Sequence, residues 1–247
     1  MNVLLVLAFL FSIGSCFGWV LEVFFRKWFS GENPEHKWIN PGFCVGPYLP
    51  IYGTGLCVMF IMACLGNEKG ISATAAGTII WFTVMALAMT LIEYIAGYVC
   101  DRHFHIKLWD YSRQWGNING YVCPLFSFFW AVLGAAYYFG IHPHILESLN
   151  WLSNNLAFSF FIGLFFGVFI IDVVYSANLV SEVRKFAEEK QIVVRYERFK
   201  TAVREKQTAG KEMLRFFIPF GARRIAEILK EASEELSELT INSIRHK

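Results

Sequence analysis

Charge is scarce over most of this sequence. Residues 1–180 hold 7 of the 22 Lys and Arg and 9 of the 20 Asp and Glu, although 55% of the chain is hydrophobic. Runs of about twenty apolar residues with so few charges are typical of membrane spans, and they exclude a disordered chain, a disulfide-rich secreted fold and a nucleic-acid binder. Residues 181–247 hold the other 15 basic and 11 acidic groups. We therefore predict an all-α polytopic membrane protein with a water-facing tail.

The sequence also lacks the motifs of common catalytic and metal sites. It has no Cys-x-x-Cys pair, and most of its six cysteines fall in apolar runs, where small packing residues are expected. It has no Walker motif, no Gly-x-Ser-x-Gly elbow and no arranged Ser/His/Asp triad. Asp101, His103 and His105 form only a weak metal-binding pattern. We expect neither a cofactor nor a metal.

Five apolar segments are long enough to cross a membrane as helices. A span needs about 20 apolar residues to cross about 30 Å of hydrocarbon. The five segments lie at about 3–25, 43–65, 71–100, 120–140 and 155–178. The first has no basic leader and no cleavage site before Glu22, so we interpret it as a span rather than a signal peptide. The predicted domains are a membrane domain at 1–178 and a charged helical tail at 179–247.

The loop charges predict the orientation of these spans. Successive loops after the five segments contain 3, 1, 3, 0 and 15 Lys and Arg. This alternation follows the positive-inside rule, by which basic loops stay in the cytoplasm. We therefore expect a multi-pass protein of the cytoplasmic membrane, with its N-terminus outside and its C-terminal tail in the cytoplasm.

Two predicted hairpins are similar in sequence. In each, a span carries a glutamate near its inner end, Glu22 or Glu93, and a basic loop follows. The chain then returns through a segment that begins near Asn40 or Asn119 and contains Gly and Pro. Because both hairpins have the same orientation, they predict a parallel repeat about an axis along the membrane normal. Chance similarity between apolar hairpins is the alternative.

Three acidic residues, Glu22, Glu93 and Asp172, lie inside predicted spans, about 5–10 Å below the inner interface at 1.5 Å per residue. A charge near the bilayer centre costs about 2.5–3.5 kcal/mol on insertion scales. No Lys or Arg lies in the span cores. We expect the three acids to face the protein interior at one level, either protonated or hydrogen-bonded to Asn, Tyr, Trp or backbone groups. The alternative is that they reach cytoplasmic water.

The loop after the third span adds polar groups beside this acid layer. Asp110 and Ser112 flank Tyr111, a pattern that suits the N-cap of a short helix, with substrate contact as the alternative. The predicted substrate or ion path consists of Glu22, Glu93, Asp172, Asn40, Trp109, Asp110, Tyr111 and Asn119.

The motifs in both hairpins resemble a family of bacterial integral membrane proteins named putative ABC-transporter type IV, the CmpB-like permeases. The matching pieces are Gly18-Trp19 with Glu22, Asn40, Gly42-Phe43, Gly46-Pro47, Pro50-Ile51-Tyr52-Gly53 with Gly55, Glu93, Gly97, Trp109-Asp110-Tyr111-Ser112, Asn119-Gly120 and Cys123. The likeness covers about residues 10–178. It implies a permease that works with a separate ATPase subunit, because the sequence has no phosphate-binding loop. Since five spans are few for half a transporter, it also implies a homodimer.

The amphipathic pattern at 181–209 predicts a helix that is solvated, pairs with another chain or binds membrane lipid. The pattern at 225–239 predicts a helix that caps the cytoplasmic loops or pairs with a second copy. The leading functional hypothesis is a permease-like transport component. A membrane-embedded enzyme for a lipid-type substrate at the inner leaflet, using the same acids with Asp110 and His103 or His105, is the alternative. A scaffold or sensor that works through the tail is a third hypothesis.

Overall fold

The computed structural model describes residues 3–30, 33, 35–68, 70, 74–104, 106–190 and 194–195. The tail helix predicted at 225–239 lies outside these residues, as do His105 and most of the segment predicted at 181–209. Helices account for nearly all of the regular structure. They are α1 (Val3–Trp28), α2 (Pro50–Glu68), α3 (Ala75–Phe104), α4 (Pro124–Ala136), a π-helical turn (Tyr137–Ile141), α5 (His142–Asn154), a 3₁₀ turn (Leu156–Phe158) and α6 (Ser159–Lys190). Two two-residue strands, β1 (Ile106–Lys107) and β2 (Val194–Arg195), pair in parallel.

Four of these helical stretches are long and apolar enough to cross a membrane. They are Val3–Trp28, Ala75–His103, Pro124–Ile141 and Ser159–Ala177. The all-α, multi-pass prediction is therefore confirmed. The second predicted span, at 43–65, differs at its start, because the apolar helix there covers only Pro50–Gly66. Gly42 has a φ of 76°, and the prolines at 47 and 50 carry no N–H, so a helix cannot run through this stretch but can begin at Pro50.

Two other boundaries also differ from the prediction. The helix that begins at Pro124 passes through the π-helical turn into α5 and ends at Asn154, so residues predicted as an outer loop are helical. The π-helical turn ends two residues before Pro143, a residue that cannot continue a regular ladder of backbone hydrogen bonds. Helix α6 continues to Lys190, so the charged tail begins as an extension of the last span.

The chain divides into two compact units. Unit 1 comprises Met1–Glu22, Pro47–Tyr98 and Asp110–Ile170. Its core joins α2, α3, α4 and the π-helical turn through the buried residues Met59, Ala63, Met85, Met89, Trp130 and Tyr137. Gly18 faces the ring of Tyr52, and a Cβ at this glycine would collide with that ring. Such small residues let α1 and α2 approach closely.

Unit 2 comprises Val23–Gly46, Val99–Trp109 and Ile171–Lys247. The loop after α1 is closed by Asn33, whose amide donates to the carbonyls of Arg26 (3.0 Å) and Lys37 (2.8 Å). The Lys27 ammonium lies 3.7 Å from the centroid of the Trp38 ring. Aromatic rings with a neighbouring cation at the end of a span are typical of a membrane interface.

Candidate functional site

Glu93 is a buried acid in the second half of α3, and its side chain accepts two hydrogen bonds. The Tyr111 hydroxyl donates to Oε1 at 3.0 Å, and the Trp130 indole N–H donates to Oε2 at 3.1 Å. Only 4% of Glu93 is exposed. Three separate parts of unit 1 therefore meet at this carboxyl group: α3, the loop before α4, and α4.

Glu22 lies on α1 and also accepts a hydrogen bond from an aromatic side chain. The Tyr52 hydroxyl, in the first turn of α2, donates to its Oε2 at 2.9 Å. The rings of Tyr52 and Trp130 are in contact, with centroids 5.4 Å apart. This contact links the donor to Glu22 with a donor to Glu93. We call Glu22, Tyr52, Glu93, Tyr111 and Trp130 the acid–aromatic cluster.

The loop before α4 fixes the position of Tyr111. Its ring stacks on Phe126 with centroids 4.2 Å apart, and its backbone N–H donates to the Gly120 carbonyl at 2.8 Å. Asp110 accepts hydrogen bonds from the backbone N–H and the hydroxyl of Ser112. These residues form a turn, so the predicted N-cap of a short helix is wrong and the cap-like contacts close a loop instead.

The chemistry of the cluster follows from its hydrogen-bond donors. Within the part of the chain that the structure describes, both hydrogen bonds to Glu93 come from neutral donors. Tyrosine hydroxyls can donate and accept, whereas the tryptophan N–H can only donate. The cluster can therefore bind a cationic group or exchange a proton through Tyr111 or Tyr52.

The third predicted acid, Asp172, belongs to unit 2 and has a different kind of partner. It accepts the backbone N–H groups of Val45 (3.1 Å) and Gly46 (2.6 Å) and the Ser176 hydroxyl (2.8 Å). Asn40 lies in the same segment, and its amide donates to the Val45 carbonyl at 2.5 Å. Asp172 and Asn40 thus meet at the backbone of Val45 and Gly46, and all four residues belong to unit 2.

The remaining predicted site residues have local roles. Asn119 has a φ of 54°, and its amide donates to the Tyr94 hydroxyl at 3.0 Å. Trp109 is half-buried in the loop after β1. His103 is exposed near the end of α3. Across the described ranges, no group of three or more His, Cys, Asp and Glu is placed to hold a metal ion.

Three residues were missing from the predicted path: Tyr52, Trp130 and Ser176. Tyr52 was visible only as part of the Pro50-Ile51-Tyr52-Gly53 motif. Trp130 did carry a signal, because it lies inside a predicted span rather than at its end, and a buried indole N–H needs an acceptor. Ser176 is four residues after Asp172, a spacing that places both on one helix face.

A second buried polar pair lies beyond the C-terminal end of α4. The Tyr137 hydroxyl and His142 Nδ1 are 2.8 Å apart, and the rings of Tyr138 and His142 are nearly parallel at 6.1 Å. His142 is 5% exposed. Burial lowers the pKa of His142, because the imidazolium would lose its hydration.

Comparison with known proteins agrees with this architecture. The family described as "Putative ABC-transporter type IV" matches residues 9–177. The matched region contains every residue of the acid–aromatic cluster as well as Asp172. Comparison with curated proteins and with solved structures gives no match. The membrane-spanning helices and the extent of the match together show a multi-pass, transport-related membrane protein, and the chain belongs to the putative ABC-transporter type IV family.

Proposed function

We propose that this protein is the permease-like component of a transport system and that the acid–aromatic cluster lines its path. The observation that carries the proposal is Glu93, which lies inside a membrane helix, is 4% exposed and is held by Tyr111 and Trp130. Ionisable groups inside membranes are costly, and they are typical of substrate and ion pathways. Glu22 extends the cluster along α1 through Tyr52.

The energy for transport would come from a second protein. The sequence contains no phosphate-binding loop, so an ATPase subunit would bind the cytoplasmic surface. With the N-terminus outside and the tail inside, that surface comprises the two basic loops. The small number of spans favours a homodimer, in which two copies complete the path. Membrane lipid would surround the exposed apolar faces of α3 and α6.

Water access to Glu93 tests the path directly. Glu93→Cys in lipid nanodiscs should react with a charged, membrane-impermeant thiol reagent, because a path must admit water as it opens. Leu91→Cys is the matched control, since Leu91 lies on the same helix, is 58% exposed and would face lipid. Mass spectrometry of the labelled peptides separates these positions from the native cysteines. Equal protection of positions 91 and 93 would make the cluster a packed core and contradict the proposal.

The enzymatic alternative has weaker support. It relied on Asp110 together with His103 or His105 as chemical groups. Asp110 accepts hydrogen bonds from Ser112 within its own turn, and His103 is exposed at the end of α3. The transport proposal needs no further group, because the cluster itself supplies acids and aromatic donors.

A further inference from the structure

Asp172 contacts the segment that follows the first basic loop and leads into α2, although the two are far apart in sequence. Asp172 Oδ1 accepts the Val45 N–H, and its Oδ2 accepts the Gly46 N–H, from residues 127 and 126 positions away. Ser176, one turn further along α6, donates to Oδ1 and is fully buried. Both carboxyl oxygens are thus engaged with one short stretch of backbone.

The return segment, residues 41–46, has little regular structure of its own. It forms neither helix nor strand, and Gly42 has a φ of 76°. A segment without a ladder of backbone hydrogen bonds depends on individual contacts for its local stability. Hydrogen bonds to a carboxylate are about twice as strong as those between neutral groups. The contacts with Asp172 should therefore contribute much of what keeps this segment in place.

We infer that Asp172 is a latch, and that residues 41–46 form a segment that opens on its own while the helices stay folded. When the latch is closed, the carboxylate satisfies the N–H groups of Val45 and Gly46. When it opens, water satisfies them, and the start of the chain leading into α2 is released. This inference goes beyond the proposed path, because it concerns a moving segment and not the residues that line a route.

The chain carries its own reporter of this opening. Cys44 lies in the return segment and is completely buried. Cys123 occupies the corresponding place before α4 and is 2% exposed. A thiol reacts only when it is accessible, so the labelling rate of Cys44 measures how often the segment opens. Cys123 measures the stability of a region that lacks the latch.

The test is site-resolved labelling of the full chain in nanodiscs with N-ethylmaleimide, read by mass spectrometry. Asp172→Asn keeps the size of the side chain but replaces one acceptor oxygen by an NH₂ donor facing an N–H. It should raise the Cys44 rate by about tenfold or more, since a charged hydrogen bond is lost. Ser176→Ala should raise the rate less. Glu93→Gln, which neutralises an acid with side-chain partners, should leave the rate unchanged.

Cys123 must stay as slow as in the wild type in all these variants. An unchanged Cys44 rate in Asp172→Asn would show that other contacts hold the segment, and the latch would be overturned. An equal rise at Cys44 and Cys123 would show that the helices loosen together, which contradicts independent opening. Neither result depends on the accessibility of position 93. The latch inference and the transport proposal can therefore be contradicted independently of each other.

Discussion

Glu93 and Asp172 are both acids within membrane helices, but the protein satisfies them in different ways. Glu93 accepts its hydrogen bonds from the side chains of Tyr111 and Trp130. Asp172 accepts two of its bonds from backbone N–H groups and one from the side chain of Ser176. Side-chain donors can rotate away or exchange a proton, whereas a backbone donor moves only with its chain segment. The first arrangement suits a site that handles a ligand, and the second suits a contact that holds a segment.

The largest effect should come from removing a side-chain donor to Glu93. Trp130→Phe keeps an aromatic ring but deletes the N–H that Glu93 Oε2 accepts, at an expected cost of about 1.5–3 kcal/mol in unfolding free energy. Trp81→Phe is the matched control, because it loses the same volume and a hydrogen bond to the neutral Met62 carbonyl. Thermal or denaturant unfolding in detergent measures both. Equal losses in the two variants would contradict a special role for the carboxyl group.

The next effect concerns the helix contact that places Tyr52 against Glu22. Gly18→Ala puts a methyl group into the Tyr52 ring, which should cost about 1–3 kcal/mol through overpacking. Gly163→Ala is the control, since nothing lies within 4 Å of a Cβ there. That substitution should be neutral or slightly stabilising, because Ala is the better helix former. Unfolding of both variants in the same detergent checks the difference, and an equal response would mean that α1 and α2 are not closely packed at Gly18.

The smallest effect should come from His142, a buried titratable group with one polar partner. Since burial lowers its pKa in the folded state, the unfolded state binds more protons. Stability should therefore fall as the pH drops below about 6.5, the ordinary value for histidine. His142→Gln keeps a partner for Tyr137 and removes the titration. Melting curves between pH 5 and 8 should show a weaker pH dependence in this variant, and an unchanged profile would exclude His142 as the source.

Four of the five predicted spans correspond to helices long and apolar enough to cross a membrane, because length and hydropathy depend on single segments. The acids were identified for the same reason, since Glu22, Glu93 and Asp172 stand out in apolar runs. The start of α2 was placed too early, although Gly42 and Pro47 already marked an interruption there. A count of apolar residues does not show where the backbone conformation interrupts a helix.

Partners of the acids were much harder to predict. The contact between Tyr52 and Trp130 requires α2 and α4 to lie side by side, which no local pattern encodes. The two backbone donors to Asp172 cannot be identified from residue type, because every residue except proline carries an N–H. Asn40 and Tyr111 were identified from motifs, and the structure gives them different partners in different units.

The central claim is that the two glutamates and their aromatic donors act as one unit, and a double-mutant cycle tests it most directly. Unfolding free energies of the wild type, Glu22→Gln, Glu93→Gln and the double variant would be measured in detergent across pH 5–9. Because the ring of Tyr52, which donates to Glu22, contacts the ring of Trp130, which donates to Glu93, we predict a coupling energy above about 0.5 kcal/mol. Additive effects at every pH would show two independent acids and contradict the account.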